Sequence, residues 1–212
     1  MIAIIDYGAG NLRSIRRALE SAGATTVVTE DPAVVVAADA VVLPGVGNAG
    51  HSVERIRQMG MDRAVYRAVE AGKPFLGICV GMQVLFEDQE EGGVPGLGLL
   101  PGRVRSLTGP VKVPHMGWNR SRVVRSGPAG EPGDEPYFYF VHSYVAEPAD
   151  EADIAAVAHY GEDFASVVVR DNVWGTQFHP EKSGADGLAF VRRFVAQLDE
   201  AAIARELSGA MA

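Results

Sequence analysis

The sequence predicts an α/β protein: an open, mostly parallel central sheet with helices on both faces, and extra antiparallel strands in the second half. Three observations lead there. The first hundred residues alternate short apolar runs with stretches of helical periodicity. Those apolar runs carry no alternating polar residues, as expected of strands covered on both faces. Beyond residue 100, closely spaced β-branched and aromatic runs separated by Gly, Asn and Asp give the pattern of antiparallel strands.

The run IAIID at 2–6 is the first strand. Asn11 stands at a helix N-cap position, with Leu12, Ile15, Leu19 and Ala22 on one face and Gly23 to end the helix. TTVVT at 25–29 is β-branched and gives the second strand. AVVL at 40–43 gives the third, stopped by Pro44-Gly45. Helical periodicity spans about 51–71, with a break at Gly60. PFLGIC at 74–79 is a fourth strand, followed by a helix through MQVLFE.

In the second half the strands are 102–107, 121–126, 137–145, 153–160, 165–170 and 173–178, and RDN at 170–172 reads as a hairpin turn. The Gly- and Pro-rich stretch 126–136 reads as a mobile surface loop. A last helix begins near Ser183 with Val191, Phe194, Val195 and Leu198 on one face, and the tail beyond about residue 200 is expected to fray. Residues 1–212 fit one domain of ordinary size.

Composition narrows the function. The net charge of −8 disfavours a phosphate-backbone binder, which needs a basic face. The single cysteine excludes a disulfide framework and a multi-cysteine zinc site, and suits a reducing, cytoplasmic setting. No signal peptide and no membrane-spanning run is seen.

That cysteine is the most informative residue. Gly77-Ile78-Cys79-Val80-Gly81 fits the nucleophile-elbow pattern G-x-S-x-G with Cys in place of Ser, and it follows a strand and precedes a helix. Side chains at either glycine would crowd so tight a turn. The turn lifts the sulfur above the sheet, and it sets the Val80 N–H and the helix N-terminus under a developing oxyanion. The competing reading is a small buried hydrophobe, because free cysteine is among the most buried residue types.

A cysteine nucleophile needs a base. Among five histidines, His51 reads as solvated, His159 as structural near a strand end, and His115 and His142 as packed in aromatic-rich stretches. His179 ends an apolar strand, Pro180 fixes the backbone after it, and Glu181 follows at i+2, on the same side if the chain stays extended. Glu181 then orients the imidazole. H-x-E also opens the zinc deaminase signature, but that signature needs P-C-x-x-C, and the chain has a single cysteine.

Two other classes of function compete at this stage. Gly45-Val46-Gly47-Asn48-Ala49-Gly50 is a literal G-x-G-x-x-G between a strand and a helix, with Glu70 at the distance of a ribose-binding acid. A dinucleotide-binding module would use it so, although Pro44 precedes the first glycine and Glu70 falls in helical periodicity. The same loop can equally present N–H groups to an oxyanion. The other competitor is a non-catalytic interaction domain, which predicts an unreactive Cys79.

GICVGMQ at 77–83 together with HPE at 179–181 resembles the triad, class-I glutamine amidotransferases. IIDYGAGNLRSI (4–15), LPGVGNAG (43–50), VPHMGWN (113–119), FVHSY (140–144) and WGTQFHPEKSG (174–184) extend the resemblance over nearly the whole chain. They narrow it to the glutaminase subunits of imidazole glycerol phosphate synthases.

The resemblance implies a flavodoxin-like sheet, with Cys79 as nucleophile, His179 as base and acid, and Glu181 as orienter. It implies an oxyanion region at Gly45, Val46, Gly47 and Val80, and a glutamine head group held by Gln83, Glu91, Ser143 and Tyr144. It implies no cofactor and no metal. The partner it implies is a (β/α)₈-barrel cyclase subunit in a heterodimer, receiving ammonia through a channel, with Met116, Trp118 and Asn119 at the interface. The cyclase makes imidazole glycerol phosphate and aminoimidazole carboxamide ribonucleotide in histidine biosynthesis. A glutaminase subunit of another ammonia-channelling synthase is the alternative within the family.

Overall fold

A computed structural model describes the backbone of residues 1–209 and side chains through Leu198. The parallel half of its main sheet is built from β1 (Ile2–Ile5), β2 (Thr26–Thr29), β3 (Ala40–Gly45) and β4 (Phe75–Cys79). Every residue of β1, β3 and β4 is buried, which is why these strands read as unbroken apolar runs. They are linked by α1 (Leu12–Ser21), α2 (Pro32–Ala37), α3 (Ala49–Gln58) and α4 (Met61–Glu70). The chain steps from β1 out to β2, then back past β1 to β3 and β4. Right-handed crossovers therefore place α1 on one face and α2 to α4 on the other.

After β4 come a single helical turn, α5 (Val80–Gln83), and eight more strands. These are β5 (Phe86–Gln89), β6 (Leu100–Ser106), β7 (His115–Val123), β8 (Tyr137–His142), β9 (Tyr144–Pro148), β10 (Ile154–Tyr160), β11 (Glu162–Arg170) and β12 (Val173–Thr176). The main sheet has nine strands in the order β2-β1-β3-β4-β12-β11-β10-β7-β8, and β5-β6-β9 form a second sheet. β12 returns parallel to β4, while β11, β10, β7 and β8 add antiparallel neighbours. The closing helix α6 (Gly184–Gly209) buries Phe190, Val191 and Phe194, with Phe190 meeting Phe138 and Phe178, and Trp174 contacting Phe194.

Several expectations need correction. The helix after Cys79 stops at Gln83, because the apolar Val84–Phe86 run is drawn into backbone pairing with Leu97, Leu99 and Leu100, and its last residue, Phe86, opens β5. β3 does not stop before Pro44 but runs through Gly45, with Pro44 opposite Ile78 and Gly45 opposite Cys79. Asn11 makes no side-chain cap bond, whereas Asn48 does cap α3, its Oδ1 accepting the His51 N–H at 2.9 Å. Helix 51–71 is indeed broken at Gly60, which adopts φ +70°. The 137–145 run is split at Ser143, where the chain passes from one sheet to the other. The strand expected at 121–126 begins at His115 and ends at Val123. The 126–136 stretch is tied down rather than loose: Pro128, Ala129 and Gly130 are buried, and Gly127 and Gly130 pair by backbone hydrogen bonds. The expectation for the tail falls where side chains are not described, and residues 210–212 lie outside the described residues altogether.

Candidate active site

Cys79 ends β4 with φ +55° and ψ −113°, a backbone conformation that a residue other than glycine adopts only at a cost. The surrounding glycines make the turn possible. A Cβ at Gly81 would stand 1.9 Å from the Leu43 carbonyl oxygen, and one at Gly77 would stand 2.6 Å from the Gly81 carbonyl oxygen. Gly45 is equally confined, its would-be Cβ 2.5 Å from the Gly81 nitrogen. Backbone therefore packs on backbone along β3, β4 and α5, and the strained sulfur is held in one place. Its exposure is only 2%. The thiol donates to the Val141 carbonyl at 3.8 Å and accepts from Gln177 Nε2 at 3.7 Å.

His179 follows β12, the strand paired with β4, so parallel register brings it to the same sheet end as Cys79. Its Nδ1 lies 3.0 Å from Glu181 Oε1, and both side chains are almost wholly buried. Extended chain, expected from the i+2 spacing, is not what brings the pair together. His179 is extended, but Glu181 sits in a 3₁₀ turn (Pro180–Lys182) that folds its carboxylate back. Nε2 of His179 is left without a hydrogen-bond partner of standard geometry among the described residues. Burial works to lower the His179 pKa, but the nearby Cys79 sulfur, the hydrogen bond to Glu181 and the charge of both outweigh it, pushing it up to about 9.

A cavity of about 220 Å³ opens over the sulfur, lined among others by Val46, Gly47, Val80, Gln83, Glu91, Ser143 and Tyr144. Gly45 lies behind it in the sheet rather than in its wall. Gln83 is buried, and its amide donates to the Tyr144 carbonyl (3.0 Å) and to Gln177 Oε1 (3.1 Å). Glu91 Oε2 accepts the Ala49 N–H at 2.6 Å, which fixes the carboxylate against the first turn of α3.

Met116 and Trp118 are 63% and 54% exposed, and Asn119, half-buried, points to the other face of β7. Met116 is therefore not part of the core. The glycine fingerprint does not form a dinucleotide loop: Gly45 lies in a strand, Gly50 is inside α3 against Gly92, and Glu70 ends α4.

Sequence reasoning missed Gln177, Val141 and His142 in and behind this site. Gln177 had a usable signal, since it stands two residues before His179 in an extended run. His115 and His142 are buried side by side, not merely packed among aromatics, with His115 Nδ1 3.0 Å from His142 Nε2. His159 is exposed and pairs with Asp163, and His51 is exposed on α3.

Burial holds the His115 and His142 pKa values down, to about 4 and about 3. Unfolded imidazoles near 6.5 bind protons that these two refuse, so their contribution is intact above pH 6.5 and is lost as pH falls toward 4. The unfolding free energy should drop by up to about 2.7 kcal/mol per pH unit in that window. Native carboxylates such as Glu162, held at about 2, add their loss only at lower pH. Denaturant titrations at pH 6, 5 and 4.5, below the range where His179 works the opposite way, check this, and constant stability over that range would contradict it.

The family described as glutamine amidotransferase class-I matches residues 3–198. The chain belongs to the class-I glutamine amidotransferases. This amidotransferase is 50% identical over 196 residues to "Imidazole glycerol phosphate synthase subunit HisH" of Methanothermobacter thermautotrophicus, covering 92% of this chain and 98% of that one. It is 49% identical to the protein of the same name from Salinibacter ruber, covering 92% and 94% of the two chains. Among solved structures, "Crystal structure of glutamine amidotransferase" superposes with a TM-score of 0.75 at 19% identity, covering 94% of this amidotransferase and 100% of that chain. "Structure of PurLQS from Thermotoga maritima" gives 0.71 at 21%, covering 93% and 98%. At such identities the structural likeness speaks for the fold, an α/β sheet with added antiparallel strands.

Proposed function

We propose that this chain is the glutaminase subunit of an imidazole glycerol phosphate synthase, acting in histidine biosynthesis. The names and coverage of its relatives support the assignment to that synthase. The observation that carries the chemistry is a buried cysteine at positive φ sharing one cavity with His179, which Glu181 holds from behind.

In this reading the Cys79 thiolate attacks the carboxamide carbon of glutamine, and the oxyanion forms beside Val80 and the Val46–Gly47 segment. His179, protonated at neutral pH, gives its proton to the nitrogen as the C–N bond breaks, releasing ammonia and leaving a glutamyl thioester. Neutral His179 then takes a proton from water, which attacks the thioester and frees glutamate and the thiolate. Glu181 holds the ring and balances the imidazolium. Glu91 suits the substrate ammonium, and backbone groups at Ser143 and Tyr144 suit its carboxylate. No metal or cofactor takes part in these steps.

Ammonia passes to a cyclase subunit, a (β/α)₈ barrel in this proposal, docked on the Met116–Asn119 segment of β7, where Met116 and Trp118 face outward and Asn119 faces the other side of the strand. Within the cell the complex belongs in the cytoplasm, where Cys79 stays reduced. Exposed aromatics at interfaces are frequent anchors. Trp118→Ala should weaken the complex by about 2 kcal/mol, or roughly 30-fold in Kd. Calorimetric titration with the cyclase subunit measures this, and unchanged affinity with full coupling of glutamine use to product would contradict the docking face. The assignment itself is tested by glutamate release with and without the cyclase subunit: a rise on its addition is expected.

A further inference from the structure

β7 alternates strictly. Met116, Trp118 and Arg120 point to solvent, while His115, Gly117 and Asn119 point the other way. β7 and β8 pair with His115 directly opposite His142, so the two imidazoles meet across the strands. The contacts fix the direction of every proton between them. His142 Nδ1 lies 2.9 Å from the Tyr144 carbonyl, which can only accept, so Nδ1 carries the hydrogen. In a neutral ring His142 Nε2 is then bare, and it accepts from His115 Nδ1 at 3.0 Å. His115 Nε2 is bare in turn, facing the Asn119 amide nitrogen at 3.4 Å. Asn119 is oriented by its other contacts, donating to the His159 carbonyl at 2.9 Å and accepting the Arg120 N–H at 2.8 Å. His115 is also clamped between Tyr160 and Phe140, stacked at centroid distances of 4.1 and 5.0 Å.

We propose that Asn119, His115 and His142 form a one-way hydrogen-bond chain along the inner face of β7 that positions the Ser143–Tyr144 wall of the glutamine cavity. The proposal rests on the functional reading above and names positioning residues for it. His142 ends β8 and Tyr144 opens β9, so their bond closes the kink at Ser143, where the chain leaves one sheet for the other. Gln83 Nε2 reaches the same carbonyl. The wall that meets the substrate's head group is thus pinned from two sides, by Gln83 from α5 and by His142 from β8. The histidine side begins at Asn119, next to Trp118 in sequence but on the opposite face of β7 from Met116 and Trp118. A partner seated on the Met116 and Trp118 face bears on Asn119 through the β7 backbone, and so on glutamine affinity at the other end of the chain.

The test uses the full chain and its complex with the cyclase subunit. Imidazole ¹⁵N spectra of the full chain should show both His115 and His142 with the proton on Nδ1, the less common form in solution. Asn119→Asp replaces the donor facing His115 Nε2 by an acceptor, and should place a proton on that nitrogen in the same spectra. In the complex, His115→Phe keeps the aromatic stack but breaks the chain, and the KM for glutamine should rise about tenfold, as for one lost hydrogen bond. The rate at which iodoacetamide alkylates Cys79 should not change. His142→Leu should act likewise, and His142→Asn, whose amide can still donate to Tyr144, should restore KM. Both rings protonated on Nε2, or an unchanged KM in His115→Phe, would overturn the proposal. A wild-type complex that releases no glutamate would instead overturn the functional reading, and the ¹⁵N pattern would still decide the chain by itself.

Discussion

Cys79→Ala should abolish glutamine-dependent synthesis by the complex while ammonia-dependent synthesis continues near the wild-type rate. The thiolate is the attacking group in the proposed chemistry, and no second cysteine exists to replace it. Losing a nucleophile of this kind costs on the order of 10⁶ in turnover, with only residual catalysis from the oxyanion site. The backbone around position 79 is held by glycine packing rather than by the side chain, so alanine should leave the fold in place. Ammonia bypasses the sulfur entirely. Loss of both activities would mean that Cys79 supports the structure of the complex, and retention of both would mean that another group attacks glutamine.

Gly47→Pro should leave Cys79 open to alkylation yet cut glutamine turnover by about 10²–10³, the loss typical of one oxyanion donor. The loop divides in two. Pro44 and Gly45 are locked into β3 opposite Ile78 and Cys79, with no room for a Cβ at Gly45. At Val46 the chain leaves that lock: Val46 is 41% exposed, and Gly47 has φ +89° with open space around it. The Val46–Gly47 peptide is therefore the adjustable part of the cavity wall, able to turn an N–H toward the oxyanion or away from it. A partner would stimulate the enzyme by shifting that population. Proline fixes φ near −65° and removes an N–H, so position 47 can no longer visit its native conformation. The isolated wild-type chain should be a weak glutaminase that the acceptor-loaded complex stimulates, and Gly47→Pro should blunt that stimulation. Full stimulation in the variant, measured as glutamate release, would contradict this role for the loop.

What was legible in the sequence follows from where local pattern and tertiary structure agree. The buried strands at 2–6 and 74–79 announce themselves by unbroken apolar runs, and Gly60 and Gly23 punctuate the helices, both at positive φ. The elbow was readable because glycine is the only residue that fits at 77 and 81. The turn that brings Glu181 to His179 was not, because an i+2 spacing looks alike in a strand and in a 3₁₀ turn. The end of the helix after Cys79 was hidden for a similar reason: a short apolar run such as 84–86 serves a helix or a strand equally, and only its pairing with 97–100 decides. Gln177 and His142 reach the site through cross-strand register, which no single segment encodes.

The most direct test of the account is to quench the complex with acid during turnover on isotopically labelled glutamine and analyse the peptide that carries Cys79. The account predicts a glutamyl adduct on Cys79 that hydroxylamine removes, and that accumulates when water attack is slowed in a His179 variant still able to acylate. Glutamate released at the wild-type rate with no adduct on Cys79, or by the Cys79→Ala protein, would contradict it.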